Sequence, residues 1–198
     1  WAVMNGETET GVTIMVMDAG LDTGAILEQA VLPISGEDTA GDVASRMAAL
    51  GGELLVSTLK KWIAGTVVAQ PQNESEATLA PILKKEDGLL DWSQPARVLA
   101  NRIRGLSPWP GGYTFVAGER WGIWKVQVAE DGGNGGSAQH AAPGTIIEVT
   151  KRAIYVQTGQ GVLGFLDIQP ANKKRMAVAD YVAGHRIDVG IRCAGKSE

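Results

Sequence analysis

The chain has 198 residues, and its 44% of hydrophobic residues can form a packed core, which excludes a wholly disordered protein. The single cysteine, Cys193, excludes an internal disulfide framework and a cysteine-rich zinc site, and the two histidines lie too far apart for an HxxxH metal pair. No apolar run approaches the roughly 18 residues of a membrane-spanning helix. We therefore expect neither a membrane span nor a bound metal ion.

Charge is distributed unevenly along the chain, although the net charge is only −4. Residues 1–66 carry nine acidic and three basic side chains, whereas the residues from Lys84 onward carry 15 basic and 11 acidic ones. A mildly basic C-terminal part is compatible with phosphate binding, whereas an acidic N-terminal part does not favour it. The same small excess is also typical of an ordinary protein surface, so charge alone leaves both interpretations open.

The N-terminal third predicts two strands that are joined by a loop and followed by a helix. Residues 11–17 and 25–34 have the apolar and β-branched composition of strands, and residues 18–24 between them contain the two aspartates and two glycines of a loop. Thr39 begins an amphipathic helix, in which the Gly51-Gly52 pair predicts a bend or a break. This order of elements is typical of the end of an α/β domain.

The remaining chain predicts a linker and then a mostly β domain. Residues 67–90 are polar and contain prolines, which favours a linker, and Ser93 is the predicted N-cap of the next helix. Residues 178–183 form a short final helix. Five short strands with one main helix indicate a small β-barrel of the OB-like type. The predicted strands are residues 113–116, 121–128, 145–149, 153–157 and 162–168.

Several segments have both a structural and a functional interpretation. The run Pro108-Trp109-Pro110-Gly111 predicts a rigid turn with a packed indole, with a binding surface as the alternative. Trp121 and Trp124 should face opposite sides of a strand, and core packing is favoured over stacking on a nucleotide base. Lys173-Lys174-Arg175 suits a solvated turn and phosphate binding equally well. Residues 131–142 predict a mobile loop and lack the motif of a P-loop.

Taken together, these segments resemble the methionyl-tRNA formyltransferase family over nearly the whole chain. The N-terminal match covers residues 6–15 and 17–24, and it is shared loosely with other enzymes that use 10-formyltetrahydrofolate. The C-terminal matches are more discriminating, and their order and spacing are similar to the tRNA-binding barrel domain of that family. They are Asp91-Trp92, Pro108-Trp109-Pro110-Gly111, Trp124-Lys125, residues 143–146 and residues 169–176.

The resemblance implies an α/β plus β-barrel fold in three parts. Residues 1–66 would be the tail end of a Rossmann-like formyltransferase domain, with two strands and a helix. Residues 67–90 would be the linker, and residues 91–198 an OB-like C-terminal barrel with a short final helix. Residues 1–66 provide too few strands for an independent α/β domain, so we expect this part to be fragile in isolation.

The resemblance also implies a reaction, the transfer of a formyl group from 10-formyltetrahydrofolate to the α-amino group of methionyl-initiator-tRNA. The Asp of the family motif Gly-Leu-Asp-Thr-Gly matches Asp22, whose implied role is to support a catalytic His or to move a proton through water. The neighbouring backbone would line the pterin pocket, at Asp18, Ala19, Gly20 and Leu21. Without the resemblance, this segment would be interpreted as a plain aspartate-rich turn.

The catalytic Asn and His of the family would precede Trp1, so we expect the chain to be a C-terminal piece with negligible activity by itself. The resemblance further implies a set of phosphate contacts to tRNA. These are Lys84, Lys85, Arg102, Arg104, Lys125, Lys173, Lys174 and Arg175. The family often has a Ser where Ala177 stands, and the lost N-cap predicts fraying of the last helix.

Two alternatives remain open at this stage. One is another formyltransferase or hydrolase that uses 10-formyltetrahydrofolate, and the C-terminal motif Gln169-Pro170-Ala171 argues against it. The other is a non-catalytic RNA-binding barrel, which would not need Asp22 and its loop. We expect a monomer in the bacterial cytoplasm, with an organelle as the alternative location.

Overall fold

The computed structural model describes residues 1–129 and 141–194, which divide into two compact units. The N-terminal unit comprises residues 7–82 together with Ala2, and the C-terminal unit comprises residue 83 onward together with Trp1 and residues 3–6. Residues 131–140 of the predicted mobile loop lie outside the described residues.

The N-terminal unit consists of an antiparallel strand pair and one long helix. Strand β1 (Glu9–Met15) pairs with β2 (Ile26–Pro33), so the predicted strand–loop–strand order is confirmed. Helix α2 (Ala40–Ile63) begins at Thr39, which forms a capping box with Asp42. This confirms the predicted start of the helix.

The predicted break at Gly51-Gly52 does not occur, because α2 continues through both glycines. A Cβ atom on Gly51 would lie 3.3 Å from a methyl group of Val12, so the glycine permits close packing of the helix on β1. This packing offsets the low helix propensity of glycine, which costs about 1 kcal/mol relative to alanine.

The C-terminal unit begins with a helical turn that the sequence pattern did not predict. Helix α1 (Ala2–Asn5) places Val3 and Met4 in buried positions. Met4 packs on Gly105 so closely that a Cβ atom there would lie 2.2 Å from the Met4 side chain. A four-residue helix is too short to show a hydrophobic period, which explains why sequence analysis missed it.

Helix α3 (Ala96–Gly105) buries Leu99 and Ile103 in the core of this unit. The predicted N-cap at Ser93 is wrong, because Pro95 occupies the cap position without a side-chain hydrogen bond. The Ser93 hydroxyl instead donates to the Asp91 carboxylate at 2.7 Å. A proline fits this position because its fixed φ matches the extended cap geometry.

The strands of the C-terminal unit are β3 (Gly112–Val116), β4 (Glu119–Ala129), β5 (Ile146–Val149), β6 (Ile154–Gln157), β7 (Val162–Pro170), β8 (Met176–Ala177) and β9 (Cys193–Ala194). The five predicted strands, which correspond to β3 to β7, are confirmed with small shifts of their ends. The strands form one curled antiparallel sheet in the order β5-β6-β7-β4-β3-β9, with β8 paired to β7.

The segment of residues 190–194 links the two ends of this sheet. The Ile146 N–H donates to the Ile191 carbonyl at 2.8 Å, and Cys193 pairs with Val116 of β3. Helix α4 (Val178–Gly184) confirms the predicted final helix and has no side-chain cap at Ala177. Among the described residues, no helix has both the length and the apolar character needed to cross a membrane.

Candidate functional site

The loop between β1 and β2, residues 16–25, is called here the Asp22 loop. Its first half is organised by the Asp18 carboxylate, which accepts hydrogen bonds from the Gly20 N–H at 3.0 Å and from the Thr23 hydroxyl at 2.8 Å. These bonds form the aspartate-centred turn typical of such segments. Asp18 therefore shapes the loop through its side chain, and Ala19, Gly20 and Leu21 are exposed around it.

Asp22 has a backbone conformation that few residues other than glycine, asparagine and aspartate adopt. Its φ angle is +56°, in the left-handed region, where most side chains are strained. The residue is exposed, and within residues 1–129 and 141–194 no hydrogen bond uses its carboxylate. The carboxylate is thus available to a ligand or to a neighbouring catalytic group.

Gln72 holds this conformation from a distant position in the chain. Its side-chain amide donates to the Asp22 carbonyl at 2.8 Å and to the Gly24 carbonyl at 2.7 Å. The flanking Gln70 exchanges two backbone hydrogen bonds with Ile26, at 2.7 and 2.8 Å. Residues 70–72 therefore run beside the start of β2 and fasten the Asp22 loop.

Sequence analysis missed Gln72 because its segment was interpreted as a linker. Residues 67–70 do alternate between half-buried and exposed positions, as a strand would. Four residues are too short a run to distinguish that alternation from chance. The close approach at Gly24, where a Cβ atom would lie 1.7 Å from the Val16 carbonyl oxygen, further restricts the loop.

The basic residues selected from the sequence separate into two groups in the C-terminal unit. Lys84 and Lys85 are exposed at a 3₁₀ turn, residues Lys85–Gly88. Arg102 donates to the Asp87 carbonyl of this turn at 2.5 Å, and Arg104 donates to the Asn101 side chain at 2.8 Å. Both arginines are half-buried and help to hold the local structure.

The second group surrounds the end of β7. Arg175 forms an ion pair with Asp167 at 2.8 Å, and Lys125 stands opposite Asp167 in the β4–β7 ladder. Lys174 is exposed in the turn beside them, and the Lys173 ammonium lies 2.9 Å from Nε2 of His185. The structure thus brings Lys125 close to Lys173, Lys174 and Arg175, although 48 to 50 residues separate Lys125 from these three in the sequence.

Three tryptophans singled out in the sequence have different environments. Trp121 is 2% exposed and contacts Tyr181 edge to face, so its predicted core packing is confirmed. Trp124 is only half-buried, because it lies three positions after Trp121 on β4 and therefore faces the opposite side of the sheet, as predicted. The predicted packing of Trp109 is wrong, since this residue is 55% exposed in the turn.

Family models match both parts of the chain. The model described as formyl transferase matches residues 1–59, and the model described as formyl transferase, C-terminal domain, matches residues 82–186. The second match alone spans more than half of the chain. The chain belongs to the formyl transferase family.

Curated relatives of this formyl transferase chain share one name. It is 46% identical over 187 residues to methionyl-tRNA formyltransferase from Solibacter usitatus, which covers 94% of this chain and 58% of that protein. It is 42% identical to methionyl-tRNA formyltransferase from Caldanaerobacter subterraneus subsp. tengcongensis, covering 96% and 59%. The chain thus spans less than two thirds of the length of these relatives.

Solved structures share the fold at low sequence identity. HypX from Aquifex aeolicus in complex with tetrahydrofolic acid has a TM-score of 0.63 and 17% identity, covering 96% of this chain and 35% of that one. Methionyl-tRNA formyltransferase from Clostridium thermocellum has a TM-score of 0.52 and 19% identity, covering 66% and 56%. These likenesses support the formyltransferase fold.

Proposed function

We propose that the protein containing this chain transfers a formyl group from 10-formyltetrahydrofolate to the α-amino group of methionyl-initiator-tRNA. The observation that carries the proposal is the 46% identity to a methionyl-tRNA formyltransferase over 94% of the chain. This similarity includes both the Asp22 loop and the C-terminal motifs. Because the chain spans only 58% of that relative, the activity is proposed for the whole protein.

The Asp22 loop has features that suit one wall of a folate pocket. Asp18, Ala19, Gly20 and Leu21 are exposed, and Leu21, which is 89% exposed, offers an apolar surface to a flat ring. The tight turn leaves no space for a side chain at Gly20, since a Cβ atom would lie 2.0 Å from the Thr23 hydroxyl. The bound co-substrate would supply the formyl group. HypX, which shares the fold, forms a complex with tetrahydrofolic acid, which supports this assignment.

Asp22 is the proposed catalytic carboxylate of this chain. The attacking amine must be neutral and must then lose a proton, and the tetrahedral oxyanion must be stabilised. A carboxylate held away from other protein groups supports a cationic partner electrostatically or accepts a proton through water. The left-handed backbone at Asp22, fastened by Gln72, orients the carboxylate for either role.

The C-terminal unit is proposed to bind the tRNA as an OB-like barrel. The hydrogen bonds of residues 190–194 with β5 and β3 support closure of the curled sheet. Six exposed cations support phosphate contacts, and Arg102 and Arg104 would act from half-buried positions. The exposed cations are Lys84, Lys85, Lys125, Lys173, Lys174 and Arg175.

We propose the functional limits expected from the sequence, with a catalytic part at residues 1–66, a linker at 67–90 and the tRNA-binding domain at 91–198, whereas the compact units of the structure divide between residues 82 and 83. We further propose that the protein acts as a monomer, without a metal ion, in the bacterial cytoplasm. The bacterial sources of the relatives support this location.

The proposal is tested by formylation of methionyl-initiator-tRNA by the whole protein, with Asp22→Asn as the variant. We expect Asp22→Asn to lower kcat by roughly 100-fold or more, because proton transfer and charge support are both lost. Glu37→Gln, at an exposed carboxylate outside the loop, serves as the control and should retain full activity.

Different outcomes separate the alternatives. Formylation of an amino sugar nucleotide in place of tRNA would replace the proposed substrate with another acceptor. Binding of tRNA with no formylation of any acceptor would favour a non-catalytic module. Full activity of Asp22→Asn would remove Asp22 from the reaction.

A further inference from the structure

A small cavity opens on the C-terminal unit where β4, the end of β7 and the turn before β3 meet. Its volume is about 200 Å³. That volume is below the roughly 300–1,000 Å³ of pockets that enclose drug-sized ligands, so it suits one flat ring. We call this space the Trp124 cavity. The lining residues that matter for its chemistry are Gly111, Arg120, Gly122, Trp124, Gln169 and Asn172.

Two glycines keep the space beside the Trp124 indole open. A Cβ atom on Gly122 would lie 3.3 Å from the indole nitrogen, and one on Gly111 would lie 3.7 Å from the far edge of the ring. Gly111 also has a φ of +81°, which disfavours other residues. Both glycines therefore contribute to the shape of the cavity by lacking a side chain.

The indole itself is held in one orientation by a short hydrogen-bond chain. Its N–H donates to Oε1 of Gln169 at 3.1 Å, and Nε2 of Gln169 donates to the Lys173 carbonyl at 3.2 Å. An aromatic group fixed in this way loses little conformational freedom when a ligand packs on it. The cavity is thus preorganised before any ligand arrives.

Positive charge surrounds this aromatic group. The Arg175 guanidinium lies 5.3 Å from the Trp124 ring centroid and is oriented by its ion pair with Asp167. Arg120 lines the cavity and lies 4.1 Å from the Tyr113 ring centroid. Lys174 is exposed in the same turn as Arg175. A fixed aromatic ring beside cations that can reach phosphates is the combination that binds unpaired nucleotides.

We propose that the Trp124 cavity binds one unpaired nucleotide of the RNA substrate. The base contacts the Trp124 indole, Asn172 lines the cavity and offers polar groups to the base, and Arg120 and Arg175 neutralise the adjoining phosphates. This inference rests on the proposed function, because it names how the same RNA partner is held. It also gives parts of two sequence motifs a common role, because residues 110–111 of the motif at 108–111 and residues 169–172 of the motif at 169–176 line the same cavity.

The test compares variants of the whole protein in their affinity for initiator tRNA, measured by fluorescence anisotropy across a range of salt concentrations. Trp124→Ala should weaken binding about tenfold at every salt concentration. The salt dependence should not change, because stacking on a base neutralises no phosphate and so displaces no counterions. Lys174→Ala should instead reduce the salt slope by about one. Trp124→Phe keeps a ring in place and should retain most of the affinity.

Two further variants distinguish the loss of the cavity from a general effect of removing an indole. Gly122→Ala keeps Trp124 but fills the cavity beside its nitrogen, and it should weaken binding as Trp124→Ala does. Trp62→Ala removes an exposed indole from α2, outside the cavity, and should bind like the wild type. Thermal unfolding of each variant shows whether it is folded.

The failures of this inference and of the proposed function are distinguishable. If the wild type binds tRNA and the folded Trp124→Ala and Gly122→Ala variants bind it equally well, the cavity is not a nucleotide site. A free nucleoside monophosphate is tested as a competitor in the same assay. If Trp124→Ala weakens the binding of this monophosphate but leaves the affinity for tRNA unchanged, the cavity serves a small molecule and the inference is likewise overturned. If the wild type does not bind tRNA, the proposed function itself fails and the inference with it.

Discussion

At the scale of single residues, the Asp22 loop depends on a side chain 50 positions away. Gln72 donates from one amide group to two carbonyls of the loop, and these bonds offset the strain of the left-handed Asp22 backbone. Positioning of this kind affects the rate more than the stability when the held group takes part in catalysis.

We predict that Gln72→Glu, which keeps the shape but replaces the donor with a carboxylate, lowers kcat of the whole protein roughly tenfold or more. The matched control is Gln70→Ala, because Gln70 contributes backbone hydrogen bonds that this change preserves. Steady-state formylation kinetics of both variants provide the measurement. Gln72→Asn should also be slower than the wild type, since its shorter side chain cannot reach both carbonyls. Equal rates in Gln72→Glu and the wild type would contradict the prediction.

Asp91 organises the entry to α3 through its charged form. Its carboxylate accepts from the Ser93 hydroxyl at 2.7 Å, from the Gln94 side chain at 3.2 Å and from the Ser93 N–H at 3.0 Å. These hydrogen bonds, that of the Ser93 hydroxyl foremost, hold the pKa of Asp91 below its usual range. A lowered folded pKa means that this stabilisation is present above the unfolded pKa near 3.9 and is lost as the pH falls through the folded pKa.

We therefore predict that Asp91→Ala lowers the free energy of unfolding by about 0.5 kcal/mol at neutral pH, because water competes for the hydrogen bonds of this exposed carboxylate. The difference from the wild type should begin to shrink as the pH falls below about 3.9 and should vanish once the pH passes the lower folded pKa, because the wild-type carboxyl is then protonated and no longer accepts these hydrogen bonds. Urea unfolding at several pH values checks this. Asp188→Ala, which removes only an exposed ion pair with Arg186, should show almost no difference at any pH.

At the scale of elements, α4 is a short helix whose start lacks a capping side chain. Ala177 has the extended backbone of an N-cap, with φ −66° and ψ 146°, but its side chain has no oxygen that could accept a hydrogen bond from the first N–H groups of the helix. Tyr181 of this helix is buried against Trp121, so the packing of the helix, and not its cap, keeps it in place.

We predict that Ala177→Ser stabilises the protein by about 0.5–1 kcal/mol, because the new hydroxyl accepts an N–H group of the first turn. Ala179→Ser adds the same hydroxyl inside the helix, where it should be neutral or slightly destabilising. The midpoints of thermal unfolding of the two variants decide the matter. A larger gain for Ala179→Ser than for Ala177→Ser would contradict the capping argument.

At the scale of the whole molecule, the two units differ in the size of their buried cores. In residues 7–82, all of which the structure describes, Ile34 and Val43 are the buried large hydrophobic side chains. The C-terminal unit buries a continuous cluster that runs from Leu90 on the segment before α3 to Cys193 on β9. Burial raises the pKa of the Cys193 thiol to about 12, so this thiol is protonated at neutral pH.

We predict from this difference that the C-terminal unit opens cooperatively and the N-terminal unit opens more readily. In hydrogen exchange of the chain, amides of β4 and β7 should exchange slowly and together, whereas those of β1 and β2 should exchange much faster. Reaction of Cys193 with a thiol reagent should follow the slow class, because the thiol is reached only when β9 opens. Equal protection of β1 and β7 would contradict this prediction.

The sequence by itself determined the elements whose signals are local. Thr39 begins α2 because a capping box needs only four consecutive residues, and the strands of the C-terminal unit follow from alternation and turn residues. The motifs around Asp22 and at residues 169–176 likewise indicated the family, which the comparisons confirm. These features require no knowledge of which distant residues meet.

Only the tertiary structure decided the features that depend on long-range contacts. It brought Gln72 to the Asp22 loop, packed Met4 on Gly105, and placed Trp124 beside residues 110–112 and 169–172, so that this indole lines a cavity. The physical reason is that burial and hydrogen-bond partners are settled by the packing of segments far apart in the chain, and a local period of two or 3.6 residues carries no information about those partners.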